Sequence, residues 1–316
     1  MKKKIIIISG DPNSINSELI IKCWKNLNNI TKKNIYLISN YELFKQQLKK
    51  LKYSIKIQKV NNITENSKNN YLKILSLKLN FKNPFSVSRK SASKFVLNSL
   101  NYAHKLALNK NVKGIINCPI NKNLLKKKNI GVTEFLASKC NIKKNSEVML
   151  IRNNKLSVSP ITTHIDIKNV AKNISKKLII TKIRVINNFF KSTFKIKPKI
   201  AVLGLNPHNS ELRKDSEEKK IIIPAIKELK KLGVNVDGPF VSDTIFINDY
   251  KNFNVIVGMF HDQVLTPYKT LYKFEAINLT LGLRYLRVSP DHGIAKNLIG
   301  KKISNPSSPM ESSLFT

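Results

Sequence analysis

The chain has 316 residues, enough for one large or two medium domains with real cores. Its 41% hydrophobic and 8% aromatic content suits a soluble globular protein, and no apolar run approaches the roughly 20 residues that span a bilayer. The net charge is +38, yet only six of the 57 basic residues are arginine and the lysines are scattered, which argues against specific nucleic-acid recognition by arginine forks.

The opening MKKKIIIISGD looks superficially like a secretory leader. Its apolar run is short, however, and polar Asp11, Asn13 and Ser14 follow, so a first buried strand over Lys4–Ser9 is expected. A helix from about Ser17 to Leu27, a strand at Ile35–Ile38 and a helix at Tyr41–Leu51 come next. The asparagine-rich stretch Asn61–Asn70 reads as a loop. Ser88–Leu108 carries Ala92, Phe95, Val96, Leu100, Ala103 and Ala107 at helical spacing. Gly114–Asn117 is a short strand leading into CPINK. Strands are expected at Val148–Arg152, Leu156–Pro160, Lys199–Leu205, Val255–Met259 and Ile277–Leu281. Helices are expected at Ile174–Phe190 and Glu217–Leu232, the latter either kinked or begun at Pro224. This alternation predicts an α/β protein with a largely parallel sheet. Cys23, Cys118 and Cys140 are odd in number and form no CxxC, which fits free thiols in a reducing cytoplasm. The surplus of Lys, Asn and Ile has the signature of AT-rich codons, so the charge needs no partner to explain it.

Three of the five histidines, His164, His208 and His261, each stand just after an apolar strand-like run. Loops at the carboxyl ends of strands are where α/β folds build their sites, and three neutral imidazoles converging there would make an open metal site. Taken singly, each reads more readily as a surface or hydrogen-bonded loop residue than as a ligand. Asp262 follows His261 and is either its orienting carboxylate or, because neighbours on an extended backbone point apart, a partner of another histidine. Asp243 is either a helix N-cap before Thr244 or an active-site carboxylate. Lys269, Asn278 and Arg287 together could hold a phosphate: a point charge, an amide and a fork. Asp291, His292 and Gly293 are expected to open a helix whose free N–H groups could meet a cofactor. Neither GxGxxG nor GxxxxGK[ST] is present, so a Rossmann dinucleotide site is disfavoured.

Eight blocks appear in order across nearly the whole chain: SGDPNSINSEL, NCPINK, GVTEFLA, TTHI, GLNPHNSE, GPFVSDTIF, MFHDQVLTPYK and INLTLGLRYLRVSPDHGIAKNLIGKKISNP. Together they closely resemble the 4-hydroxythreonine-4-phosphate dehydrogenase family of pyridoxal phosphate biosynthesis. The resemblance implies a two-domain α/β fold like that of isocitrate and isopropylmalate dehydrogenases, with the active site in the interdomain cleft. The expected domains are 1–128 plus 267–316 on the cofactor side, and 129–266 for metal ligands and dimer contacts. It implies that His164, His208 and His261 bind one divalent metal (Zn, Mg or Co), with ligands drawn from both subunits of a homodimer. It further implies that Thr133, Lys269, Asn278 and Arg287 contact the phosphorylated amino-acid substrate. Asp243, Asp262 and Lys269 become the catalytic candidates. Asp291, His292, Gly293 and Asn297 would lie near NAD, or NADP. The implied reaction is oxidation and decarboxylation of 4-phosphooxy-L-threonine to 3-amino-2-oxopropyl phosphate in the cytoplasm, with no membrane and no specific nucleic acid as partner.

Three departures bear on that reading. Val132-Thr133 stands where the family has His-Thr, so one hydrogen-bonding substrate contact is either missing or supplied elsewhere, as by the adjacent backbone. Asn13-Ser14-Ile15-Asn16 and Ser210-Glu211-Leu212-Arg213 replace glycine-rich stretches, removing easy access to positive φ. The alternatives are the same chemistry on a threonate or erythronate 4-phosphate, or a non-catalytic, polyanion-binding homologue.

Overall fold

The computed structural model describes residues 3–65, 70–125, 131–142, 147–273, 275–290 and 293–301. The chain divides into two compact units, Met1–Asn141 with Leu283–Thr316, and Ile142–Gly282. The boundaries expected from the sequence are 128/129 and 266/267. Residues 131–141 go with the first unit because their helix packs on its longest helix, and Ile277–Leu281 with the second because that strand pairs with Val148–Arg152.

Numbered along the chain, the first unit contains β1 (Lys4–Ile8), α1 (Asn16–Asn26), α2 (Asn29–Lys32), β2 (Ile35–Ser39), α3 (Tyr41–Lys50), β3 (Ile57–Val60), β4 (Leu72–Ser76), α4 (Arg89–Ala107), β5 (Val112–Asn117), α5 (Val132–Lys139) and, from the end of the chain, β12 (Leu286–Pro290). Its strand order is β3-β4-β2-β1-β5-β12, and every pair is parallel. Strands of such a sheet are covered on both faces, which is why β1 and β2 read as near-continuous apolar runs rather than alternating ones. The Ser88 hydroxyl caps α4 by accepting from the Ser91 amide, and α4 lays Ala92, Phe95, Val96, Leu100 and Ala103 against the sheet. The short strands β3, β4 and β12 escaped the sequence reading, because Lys59, Lys73 and Arg287 interrupt their apolar character.

The second unit contains β6 (Val148–Arg152), β7 (Ser157–Pro160), α6 (Val170–Asn173), α7 (Lys176–Phe194), β8 (Ile200–Leu203), α8 (Ile223–Lys231), β9 (Val236–Phe240), α9 (Ser242–Ile245), β10 (Val255–Gly258), α10 (His261–Tyr272) and β11 (Ile277–Leu281). The order is β11-β6-β7-β10-β8-β9. Strands β7, β10, β8 and β9 run parallel to one another, while β6 is antiparallel to both β7 and β11. The core gathers Ile151, Val158, Ala201, Leu203, Ile256, Val264, Leu265 and Tyr268. The helix expected at Glu217–Leu232 is two pieces: a π-turn over Glu218–Ile222, then α8 with Pro224 in its first turn. Proline suits that place, where its missing N–H is not needed. Among the described residues, no helix is long and apolar enough to cross a membrane.

Candidate active site

Topology places the second unit's site residues. Because β7, β10, β8 and β9 are parallel neighbours, the loops leaving their carboxyl ends emerge along one edge of the sheet. His164 follows β7, His261 follows β10, His208 follows β8 and Asp243 follows β9. This is the edge where open α/β sheets bind ligands.

Two of the three histidines are brought together. The rings of His164 and His261 lie 5.8 Å apart between centroids, tilted by 38°. A metal–nitrogen bond of about 2.1 Å puts a ring centroid roughly 3.2 Å from the ion, so two ligands at a tetrahedral angle have centroids about 5 Å apart. The pair therefore fits two positions on one ion. His261 Nδ1 also meets Asp262 Oδ1 at 2.6 Å, which leaves Nε2 as the ring nitrogen that a metal would use. Of the two readings of Asp262, the contact with His261 is the one formed. The segment is the first turn of α10 rather than extended backbone, and there an aspartate can turn back on its neighbour. Among the described residues, no group of three His, Cys, Asp or Glu side chains is placed to hold a metal ion. His208 thus does not complete the triad within one chain.

His208 begins an unusual turn. His208, Asn209, Ser210 and Glu211 all have φ near +50° and ψ near +30°, and Leu212 has φ +57°. L-residues adopt a left-handed helix at roughly 1–2 kcal/mol each. Three hydrogen bonds hold its entry and flank. Glu218, fully buried, accepts the Leu205 amide at 2.8 Å and the Asn206 amide at 2.9 Å, and Asn209 Nδ2 donates to the Pro239 carbonyl at 2.9 Å. Burial alone would raise the Glu218 carboxyl, but the hydrogen bonds from Asn206 and Leu205 outweigh it and hold the group below its ordinary value. Glu218 was missed in the sequence because it stands well after the NPH segment. Its signal is the π-turn, a feature frequent at functional sites.

Asp243 lies in the first turn of α9, whose N-cap is Val241, so the capping reading is corrected and the carboxylate is exposed. Lys269 is half-buried in the last turn of α10. Asn278 is half-buried on β11, opposite Ile151.

In the first unit, Arg287 is 4% exposed on β12. Its Nε donates to Asn117 Oδ1 at 2.5 Å and its NH1 to the Thr133 hydroxyl at 3.3 Å. Burial lowers the guanidinium to about 10, with the nearby Glu134 carboxylate acting in the opposite sense. Asn117, at the end of β5 inside the NCPINK block, was not singled out from the sequence, yet it fixes the plane of the fork. Val132 is the first residue of α5 and Thr133 lies in that helix's first turn. Asp291 and His292 lie outside the described residues. The helix expected to open with Gly293 is not formed there: Gly293 is exposed and non-helical, and the chain first turns at Lys296–Leu298, which includes exposed Asn297.

The profile of the family described as "Pyridoxal phosphate biosynthetic protein PdxA" matches residues 31–314. The chain belongs to the PdxA family. It is 39% identical over 315 residues to the 4-hydroxythreonine-4-phosphate dehydrogenase of Sulfurihydrogenibium sp. (strain YO3AOP1), covering 98% of this chain and 95% of that protein. It is 38% identical over 313 residues to that of Aquifex aeolicus (strain VF5), with the same two coverages. The solved 4-hydroxythreonine-4-phosphate dehydrogenase from Klebsiella pneumoniae superposes with a TM-score of 0.86 at 27% identity, covering 99% of this chain and 98% of that one. The expected family and the α/β architecture agree with these findings, as does the assignment to the oxidoreductases. PdxA proteins serve pyridoxal phosphate biosynthesis.

Proposed function

We propose that this PdxA protein oxidises and decarboxylates 4-phosphooxy-L-threonine to 3-amino-2-oxopropyl phosphate, with NAD as hydride acceptor and one divalent metal. The observation that carries the reading is the Arg287 fork, buried and oriented by Asn117 beside the Thr133 hydroxyl. A buried, always-charged fork beside a hydroxyl is the chemistry that binds a phosphate, and the curated relatives are named for a phosphorylated hydroxythreonine.

The roles follow from the side chains. Arg287, Thr133, Lys269 and Asn278 anchor the substrate phosphate. His164 and His261 hold the metal, Asp262 keeps His261 in the coordinating tautomer, and His208 is the third ligand, contributed across a homodimer. Three imidazoles suit zinc or cobalt, and magnesium with weaker affinity. The metal, when bound, lowers the pKa of a coordinated hydroxyl and stabilises negative charge on its oxygen. Asp291, His292, Gly293 and Asn297 would hold NAD, or NADP, which would supply the hydride acceptor. Asp243, Asp262 and Lys269 are the candidates for moving protons. In balance, the carbinol carbon loses a hydride and its hydroxyl a proton. The carboxylate then leaves as carbon dioxide, and a proton returns to carbon.

The test is NADH formation by the metal-loaded protein with 4-phosphooxy-L-threonine and, separately, with threonate 4-phosphate. Turnover of the first supports the reading; turnover of the threonate alone overturns it. That second substrate is worth testing because apolar Val132 opens α5 beside Thr133.

A further inference from the structure

We propose that Gln263 is the positioning residue that sets the loops of His208, Asp243 and His261 relative to one another. This rests on the reading of those residues as the metal and catalytic groups. Gln263 stands in the first turn of α10, two residues after His261. Its Oε1 accepts the Met259 amide at 2.6 Å, fixing the backbone that leads into His261. Its Nε2 donates to the Gly204 carbonyl at 2.7 Å, just ahead of the LNPH segment, and to the Ser242 hydroxyl at 2.7 Å, beside Asp243. One carboxamide therefore ties three strand-end loops together.

The tie extends to a fourth loop. The Met259 carbonyl accepts from the Thr162 amide at 3.1 Å and from the Thr162 hydroxyl at 2.7 Å, two residues before His164. Met259 is thus held at its N–H by Gln263 and at its C=O by Thr162. Only a primary amide carries an acceptor and two donors on one planar group, so glutamate keeps half of the function and methionine none. The backbone leaves room for it: a Cβ at Gly258 would come within 2.8 Å of Gln263 Oε1 and 2.6 Å of Val264 Cγ1.

The experiment uses the full-length protein labelled with 15N-histidine, metal-free, with ring signals assigned from His208→Ala, His261→Ala and His104→Ala. Gln263→Met should move the His208 and His261 signals and leave that of His104 in place. Gln263→Glu retains the acceptor for Met259 but loses the donor to Gly204. It should therefore move the His208 signal and leave the His261 signal near wild type. The core variant Ile226→Ala, in α8 and outside the hydrogen bonds of Gln263, should move none of them. Unmoved His208 and His261 signals in Gln263→Met, or equal shifts in Ile226→Ala, would overturn the proposal. A parallel Co2+ titration should show Gln263→Met binding about 10–100-fold more weakly than wild type, and Ile226→Ala unchanged. Wild-type protein that binds no Co2+ would sink the metal reading, while the histidine spectra still decide the role of Gln263.

Discussion

The guanidinium of Arg287 donates to the Thr133 hydroxyl at 3.3 Å, joining the last strand of the first unit to the first turn of α5 across 154 residues of sequence. Asn117 holds the other side of the fork, so Arg287 presents one fixed plane. The nearby Glu134 carboxylate favours the charged guanidinium against the cost of its burial.

Arg287→Lys keeps a positive charge but loses the fork and its bond to Asn117. A hydrogen bond to a charged group contributes about 1.5–3 kcal/mol, which converts to a rise of roughly 10–100-fold in KM for the phosphorylated substrate. Initial rates across substrate concentration measure it. An unchanged KM would remove Arg287 from the phosphate contacts.

Asp262→Ala removes the acceptor for His261 Nδ1 and releases the ring to either tautomer. Loss of such a carboxylate costs about 10–100-fold in metal affinity. Co2+ titration of the variant against wild type checks this, with His164→Ala expected to weaken binding further. Equal affinities in all three proteins would show that the paired rings hold no metal.

Ser210→Gly should stabilise the protein. At φ +49° and ψ +30°, serine pays the left-handed penalty that glycine escapes, less what glycine loses through its freer unfolded chain. The net gain should be about 0.5–1 kcal/mol, read as a higher urea midpoint at unchanged slope. A lower midpoint would mean that the serine side chain supports the turn.

Glu218 sets an acid limit on the His208 loop. Its folded pKa lies below the ordinary value of 4.5, so the stability it contributes is complete above that value and is lost as pH falls through the folded pKa. Glu218→Gln should be destabilised by about 1–2 kcal/mol at neutral pH, with the gap to wild type narrowing as the pH falls below 4.5. Urea unfolding of both proteins at neutral and at acid pH decides it, and a gap that stays constant would contradict the depressed pKa.

Much of the fold is legible in the sequence because its information is local. Buried parallel strands need short apolar runs, and the amphipathic helix α4 needs apolar residues at helical spacing with a serine before them. Val148–Arg152 and Ile277–Leu281 are strands as the runs predict. Strand β12 is not legible, since buried Arg287 interrupts its apolar run and only tertiary partners make that charge tolerable. The site divides in the same way. Residue type and motif order already single out the three histidines, the residues proposed to hold the phosphate and the two aspartates. Only the tertiary structure decides that Asp262 turns to His261, because the backbone there is helical rather than extended. Only it gathers His164 with His261 while His208 enters a left-handed turn. Asn117, Glu218 and Gln263 became visible for one further reason. Their work is hydrogen bonding to residues far along the chain, and no local pattern of side chains encodes a partner that the fold alone brings within reach.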